Sequence, residues 1–181
     1  MSLIVTITGS PSEGSRTARL AQDVGATLAG RGFEVAAINV RDLPAAELVG
    51  AQIQSPPISA ALGLVERARG VVLCSPVYKA SYSGVLKTFL DLLPQTGLAG
   101  KVALPLMTGG TIAHVLALDY AFRPVLAALA AQHVVSGLFL LDKTIGTRPD
   151  GGIALEPDVR ARLDGVLDDF VASIRRHAHP G

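Results

Sequence analysis

The stretch TITGSPSEGSRTARL, residues 6–20, joins a short apolar run to an alanine-rich segment. The run before it is β-branched and apolar, as in a buried strand. In the segment after it, Leu20, Val24 and Leu28 recur every four residues and a glycine ends the pattern, which predicts a helix. The stretch therefore predicts a buried strand that leads through a polar loop into a helix, the repeating unit of α/β proteins.

The loop is rich in groups that bind anions. Ser10, Ser15 and Thr17 carry hydroxyls and Arg16 carries a guanidinium. The helix N-terminus adds unpaired backbone N–H groups and the positive end of the helix dipole, so the loop is a candidate phosphate site. Serine and glycine before a helix also act simply as a cap and a turn, and the stretch alone leaves both interpretations open. Neither GxxxxGK[ST] nor GxGxxG is present, so a phosphate here would not be held by those motifs.

The composition of the 181-residue chain predicts one domain, residues 1–181, with a substantial core. A net charge of +1 and dispersed basic residues argue against a nucleic-acid partner. The most apolar region, residues 113–141, is interrupted by charged and polar residues, which argues against a membrane span. The single cysteine, Cys74, excludes an intrachain disulfide and is predicted to be a buried core residue. With no signal-peptide pattern, it favours a cytoplasmic location.

Strands and helices alternate along the chain. Apolar segments predict five strands, near residues 3–8, 33–40, 70–75, 101–107 and 133–140. Helices are predicted over residues 15–30, 57–68, 83–93, 112–131 and 157–176, and irregular structure over LPAAELVGAQIQSPP and residues 142–156. Strands that are apolar on both faces, such as GVVLCS, are typical of a parallel sheet covered by helices. We therefore predict a doubly wound α/β three-layer sandwich with a five-stranded parallel sheet.

Polar loops rich in small residues follow predicted strands one, three and four. They are TGSPSEGSRT, SPVYKASYSG and TGGT. The carboxyl ends of parallel strands share one edge of a sheet, and ligands bind there at the point where the strand order reverses. Small polar residues are enriched after these three strands, which fits the strand order 2-1-3-4-5. In flavodoxin, which has this order, FMN binds at the point where the order reverses. Together the loops predict a site for a phosphate-bearing flavin.

The same segments resemble a known family. GSPSEGSRT, SPVYKASYSGVLKTFLDLLPQ and LPLMTGGTIAHVLALDYAFRPVLAAL are similar to segments of the NAD(P)H-dependent FMN reductases, over nearly the whole chain. The reductase components of two-component alkanesulfonate monooxygenase systems are the most similar group. The resemblance implies a flavodoxin-like fold, FMN and NADPH as cofactors, and reduced FMN passed to a partner monooxygenase in sulfonate sulfur assimilation.

The resemblance assigns residues to the flavin by position. The phosphate would be bound by Ser10, Ser15, Arg16 and Thr17. The isoalloxazine ring and ribityl chain would be bordered by Pro76, Val77, Tyr78 and Lys79, and the polar edge of the ring by Thr108, Gly109, Gly110 and Thr111. Pro76 is expected to stiffen a turn, and the two glycines to let backbone amides approach a flat ring. Relatives often carry an arginine where this chain has Ser12, which leaves more of the charge neutralisation to Arg16.

No catalytic acid or base and no metal site is predicted. Hydride transfer between stacked rings depends on positioning, and the chain has no Ser-His-Asp, CxxC or HExxH pattern. His114 is predicted to serve a helix start. His177 and His179 are predicted to lie in a frayed tail. The sequence leaves two interpretations of Ser83 open, an N-cap and a site residue.

Two other functions remain open. A flavodoxin-type electron carrier is disfavoured by the near-neutral charge, the absence of tryptophan and the 4% aromatic content. The sequence gives little basis for distinguishing an FMN reductase from an FMN-containing NAD(P)H quinone or azo reductase.

Predicted helix 112–131 indicates an assembly. Its core arc comprises Val115, Leu118, Phe122, Val125, Leu126 and Leu129. The opposite face carries alanines and Tyr120 rather than charges, which predicts contact with another subunit. In the alkanesulfonate-type reductases, the tyrosine of the LDYA segment is associated with a π-bulge at a tetramer interface. The resemblance therefore implies a π-bulge around residues 119–123 and a homotetramer with Tyr120 packed across subunits. Pro124, which lacks an amide donor, is a second reason for irregularity.

Overall fold

A mostly parallel sheet lies at the centre of the structure, a computed structural model that describes residues 1–177. Its strands are β1 (Leu3–Thr8), β2 (Glu34–Asn39), β3 (Gly70–Tyr78), β4 (Ser81–Tyr82), β5 (Val102–Gly109), β6 (His133–Val134) and β7 (Leu138–Leu141). The order is β2-β1-β3-β5, with β6 and β7 both paired to the far side of β5 and β4 antiparallel to the end of β3. The predicted order is confirmed, because β5 is the fourth predicted strand and β6 with β7 forms the fifth.

The fifth strand is interrupted opposite Pro105. β6 pairs with residues 102–103 of β5 and β7 with residues 106–109, so three residues, 135–137, stand opposite two. Pro105 has no N–H to donate to the sheet. Gly137 lies so close that an added Cβ would be 2.5 Å from the Pro105 carbonyl oxygen. One continuous strand over residues 133–140 was the wrong prediction, because a proline in the neighbouring strand produces a bulge.

Helices cover both faces of the sheet. They are α1 (Arg16–Gly30), α2 (Ala45–Val49), α3 (Pro56–Arg67), α4 (Gly84–Leu90), α5 (Arg123–Ala128) and α6 (Pro157–His177). On one face, α1 and α6 bury side chains such as Leu20 and Phe170. On the other, α3, α4 and α5 bury side chains such as Ile58, Phe89 and Leu126. The two separate apolar clusters confirm the three-layer sandwich.

The predicted continuous helix over residues 112–131 is wrong. The segment contains a 3-10 turn at Ile112–His114, a π-helix at Leu118–Phe122 and then α5. The π-bulge that was predicted around residues 119–123 is confirmed. Pro124 is the second residue of α5, which follows the π-helix without a break, so its missing N–H leaves a carbonyl of the preceding turn without its helical donor. Val115, predicted in the core, is exposed.

Two segments predicted to be irregular contain regular structure. The first holds the short helix α2, and the second holds an antiparallel hairpin of β8 (Ile145–Thr147) and β9 (Ile153–Leu155). Thr147 accepts a hydrogen bond of 2.6 Å from Arg19 of α1. The hairpin therefore packs beside the start of α1.

Cys74 is fully buried in β3, as predicted, and burial raises the pKa of its thiol to about 12. His177 lies in the last turn of α6, with its ring centroid 3.6 Å from that of His133, so the prediction of a frayed tail is wrong for this residue. His179 lies outside the described residues. Within residues 1–177, no three or more His, Cys, Asp or Glu side chains are grouped to hold a metal ion. Over the same range, no helix has the length and apolar character needed to cross a membrane.

Gly70→Ala should destabilise the protein, because α6 lies directly against the start of β3. An added Cβ would come within 2.5 Å of Ile174 Cδ1 and 2.7 Å of Phe170 Cζ. Both side chains are buried, so overpacking should lower the free energy of unfolding by about 1–3 kcal/mol. Urea denaturation measures this change.

Gly165→Ala is the matched control, since nothing lies within 4 Å of a Cβ added at this position of α6. This substitution should raise the free energy of unfolding by up to about 1 kcal/mol through helix propensity. A Gly70→Ala protein as stable as the wild type would contradict the close packing of α6 on β3.

Candidate functional site

The carboxyl ends of β1, β3 and β5 meet at one edge of the sheet. Thr8 of β1 is in register with Cys74 of β3, and Pro76 of β3 is in register with Thr108 of β5. Three segments therefore lie side by side: residues 9–17, residues 76–83 and residues 108–111. We call these segments together the loop edge. The structure thus brings the three predicted loops to one place.

The segment after β1 presents hydroxyl donors beside a helix N-terminus. Ser15 is the N-cap of α1, and its Oγ accepts the N–H of Ala18 at 3.3 Å. The buried Ser10 Oγ accepts the N–H of Ser12 at 3.4 Å. A hydroxyl that accepts still has its own hydrogen to donate, so both O–H groups are available to an anion. The first turn of α1 has no acidic residue, so no carboxylate neutralises the positive end of its dipole.

Charges at this segment favour an anion. Arg16 is exposed and makes no ion pair within the part of the chain that the structure describes. The exposed Glu13 carboxylate lies 3.6 Å from Nη2 of Arg41, whose Nε also donates to the Asp42 carboxylate at 3.2 Å, so this guanidinium is shared between two carboxylates. Sequence reasoning missed Arg41, because its position beside the loop depends on the pairing of β1 with β2.

Thr17 and Thr108 join the first and third segments. Their Oγ1 atoms lie 2.6 Å apart, and both side chains are buried. One hydroxyl donates to the other, and the hydrogen bond fixes the start of α1 against the end of β5. For both residues the structure shows a role in holding the loop edge together.

The third segment begins inside β5. Thr108 and Gly109 lie in the strand rather than in the predicted loop after residue 107. Gly109 packs against Phe139, where an added Cβ would lie 2.8 Å from the ring. Gly110 and Thr111 are exposed, and Thr111 Oγ1 accepts the N–H of Ala113 at 3.3 Å. Gly110 is therefore the glycine of this pair whose backbone is open to a ligand.

Ser83 joins the first and second segments. Its Oγ donates to the carbonyl oxygen of Gly9 and accepts the N–H of Leu86 at 3.1 Å. Its own N–H donates to Ser75 Oγ at 2.8 Å. A Cβ on Gly9 would overlap that of Leu86, so only glycine fits there. The alternative that sequence left open is therefore resolved: Ser83 is the N-cap of α4 and also ties the first segment to it.

The second segment is a hairpin with a strained turn. Lys79 and Ala80 connect β3 to β4, with φ of 50° and 59°. Hairpins with such a turn normally use asparagine and glycine, and residues with a Cβ cost on the order of 1 kcal/mol each at positive φ. The expected turn at Pro76 is wrong, since Pro76 is buried within β3. Tyr78, at the end of that strand, is exposed.

The π-helix packs against this hairpin. The ring of Tyr82 in β4 stacks on the ring of Phe122, with centroids 5.2 Å apart and an interplanar angle of 28°. Burial raises the pKa of the Tyr82 hydroxyl above its ordinary value. Sequence analysis missed Tyr82, because its place opposite Val77 depends on a turn with no glycine or asparagine signal.

The donors of the loop edge fit a phosphate-bearing planar ligand such as FMN. A helix N-terminus, two hydroxyls and a free guanidinium suit the phosphate, and the exposed backbone near Gly110 and the exposed hairpin suit a ring. His114 lies in the 3-10 turn beyond this edge. This arrangement offers groups for binding and orientation, and the thiol of Cys74 is buried.

Comparisons with known proteins show the family of this chain. Residues 2–146 match the family described as NADPH-dependent FMN reductase. FMN reductase (NADPH) of Pseudomonas putida is 44% identical over 182 residues, covering 98% of this chain and 91% of the relative. FMN reductase (NADPH) of Escherichia coli K12 is 40% identical over 176 residues, covering 96% and 90%. The solved apo structure of an NADH:FMN oxidoreductase, EMOB, has a TM-score of 0.88 and 41% identity, covering 96% of this chain and 90% of that one. This chain belongs to the NADPH-dependent FMN reductase family.

Proposed function

We propose that the protein reduces FMN at the loop edge and passes the reduced flavin to a separate monooxygenase. Membership of the family makes the chain an oxidoreductase with FMN and NADPH as its cofactors. The observation that supports the site is the convergence of three segments beside a helix N-terminus that carries no acidic residue. When bound, FMN supplies the ring that accepts hydride from NADPH.

The segment after β1 holds the phosphate in this proposal. Ser10 and Ser15 donate their O–H groups, and Arg16 supplies the charge-assisted hydrogen bond. Thr17 contributes through its bond to Thr108, which keeps the start of α1 in place. Two hydroxyls, one guanidinium and the helix dipole together match a dianionic group.

The other two segments orient the ring. Pro76, Val77, Tyr78 and Lys79 border the isoalloxazine and ribityl parts, and residues 108–111 meet the polar edge of the ring. The buried part of β3 gives the border a rigid base, because Pro76 is held in register with Thr108. Few aromatic side chains are present to cover the ring, which leaves a face for nicotinamide. Catalysis then rests on positioning, and no side chain is assigned as acid or base.

Transfer to a monooxygenase, in sulfonate sulfur assimilation, is supported by the resemblance of the three segments to alkanesulfonate-type reductases. It also fits Ser12, at a position where the resemblance implies an arginine in many relatives, because more of the charge neutralisation then falls to Arg16 and phosphate affinity is lower. Weaker retention suits a flavin that leaves after each turnover. A cytoplasmic location belongs to the same proposal, since one buried, unpaired cysteine suits a reducing compartment.

We further propose a homotetramer assembled through the π-helix. Large apolar side chains are exposed along this segment: Ile112 is 61% exposed, Leu116 57% and Tyr120 80%. An apolar patch of this kind is typical of a subunit interface, and closed symmetric assemblies are the usual result. In this assembly Tyr120 packs across subunits near the flavin.

Steady-state NADPH oxidation with competing acceptors tests the function. FMN should give the highest kcat/KM, above FAD, riboflavin and a quinone, because only FMN combines the ring with a terminal phosphate monoester that fits the first segment. The protein should also lose FMN during purification. A preference for a quinone, with FMN retained, would instead identify an FMN-containing quinone or azo reductase.

Arg16→Ala should weaken FMN binding by about 1.5–3 kcal/mol, the range for a lost charge-assisted hydrogen bond. Riboflavin, which has no phosphate, should bind almost as before. Fluorescence titration with the two flavins measures both affinities.

Arg175→Ala is the charge-matched control for this substitution. Arg175 is exposed on α6 next to Ile174, which packs at the start of β3, the end of that strand away from the loop edge. Its loss should leave both affinities unchanged. If Arg16→Ala weakens FMN and riboflavin equally, the phosphate does not lie at Arg16.

Leu116→Asp should break the tetramer, because it places a carboxylate in the apolar patch. Deleting Tyr120 should regularise the π-helix, disturb assembly and increase FMN retention. Light scattering measures the mass and the flavin absorbance of the purified protein measures retention. Val49→Asp, at another exposed apolar position on α2, should leave the mass unchanged. A wild-type monomer at working concentration would rule out this assembly.

A further inference from the structure

Tyr82 connects the hairpin to the π-helix. Its ring stacks on Phe122, with 5.2 Å between centroids, while Phe122 itself is fully buried. Phe122 belongs to the core cluster that also contains Leu118 and Leu126, so it is a fixed platform. Tyr82 is only partly buried and packs against that cluster from outside. The stack therefore joins a surface hairpin to an immobile part of the fold.

The hairpin needs such an anchor. Lys79 and Ala80 hold positive φ without the glycine or asparagine that adopts it readily. β4 is two residues long, so the pairing of Val77 with Tyr82 and of Tyr78 with Ser81 is all the ladder it has. Strained backbone persists only where surrounding contacts hold it in place. Beyond the ladder, the Tyr82 stack and the Ser83 hydrogen bonds are the contacts that hold the outgoing strand.

We propose that Tyr82 is a positioning residue for the flavin, acting through its stack on Phe122 to keep the Lys79–Ala80 turn in its strained form. The turn continues directly from Tyr78. The orientation of the turn therefore sets the position of residues 76–79, which border the flavin ring in the proposed function. The contribution comes from the ring of Tyr82, because the stack is a ring–ring contact. The inference rests on the proposed placement of the flavin ring beside residues 76–79.

A purely structural role for Tyr82 makes a different prediction. Loss of its ring would then lower stability and leave the flavin affinity of the folded protein unchanged. A positioning role predicts a change in flavin KM, and the same change for FMN and riboflavin, because both flavins carry the ring. This signature differs from that of Arg16→Ala, which should affect FMN alone.

The test compares Tyr82→Leu with Tyr82→Phe in steady-state kinetics with both flavins. Tyr82→Leu should raise KM for FMN and for riboflavin by about two- to tenfold, the fold-change that corresponds to an aromatic pair. The value of kcat at saturating flavin should change less than KM. Tyr82→Phe, which keeps the ring, should match the wild type.

Ala80→Gly should partly rescue Tyr82→Leu, since glycine adopts positive φ without support and relieves one of the two strained positions, while Lys79 keeps its own. The double variant should have a KM between those of Tyr82→Leu and the wild type. Phe33→Leu is the control for lost aromatic packing, because Phe33 is buried in the cluster on the opposite face of the sheet. It should lower the thermal midpoint and leave both KM values unchanged.

Several outcomes would overturn the positioning role. They are an unchanged KM in Tyr82→Leu, an equal rise in Tyr82→Phe or Phe33→Leu, and a failure of Ala80→Gly to rescue. Failure of the phosphate site would give a different result. Arg16→Ala would then leave FMN affinity unchanged, while Tyr82→Leu would still raise the KM for riboflavin. A rise confined to FMN in Tyr82→Leu would also contradict the proposal, since it would indicate a contact with phosphate.

Discussion

Parallel pairing of β1, β3 and β5 is the constraint on which the rest of the structure depends. Because the three strands run the same way, every segment that leaves a carboxyl end is delivered to one edge, where side chains far apart in sequence can bond. The hydrogen bond between Thr17 and Thr108 spans 91 positions and joins the first and third segments of this edge. The hydrogen bond from Ser83 to Gly9 joins the first and second segments. Both use short hydroxyl side chains, which reach backbone and neighbours without filling the space a ligand needs.

Two irregular elements lie beside this edge. The Lys79–Ala80 turn has positive φ, and the π-helix at residues 118–122 leaves the α-helical pattern. Conformations of this kind are unfavourable alone and persist where packing holds them, and the Tyr82–Phe122 stack lies between these two elements. The bulge opposite Pro105 has a simpler cause, since a proline cannot donate to the neighbouring strand. The regular strands and helices thus form a scaffold, and the Lys79–Ala80 turn is the strained element that belongs to the loop edge.

Flavin reduction places little demand on reactive side chains. Hydride transfer needs two rings held together and little proton transfer, so the hydroxyls, backbone amides and guanidinium of the loop edge suit the flavin site proposed there. The free thiol is buried in β3 with its pKa raised to about 12, so it stays neutral and unreactive. Glu13, the carboxylate of the first loop, shares Arg41 with Asp42. The groups at this loop that favour an anion are therefore Arg16 and the N-terminus of α1.

Sequence alone determined the α/β sandwich, the strand order and the three loops. Apolar periodicity and loop composition are local properties, so they can be read directly from the sequence. The π-helix was predicted through the resemblance of the LDYA segment to alkanesulfonate-type reductases, with Pro124 as a second reason for irregularity. Tertiary structure decided the rest. Tyr82 and Arg41 reach the loop edge only through strand pairing. The Lys79–Ala80 turn contains no glycine or asparagine, the residues that would predict positive φ from sequence. The split of the fifth strand depends on Pro105 in its neighbour. A sequence pattern reports the preference of a segment for its own conformation, whereas these features arise from contacts between segments, which only the folded chain brings together.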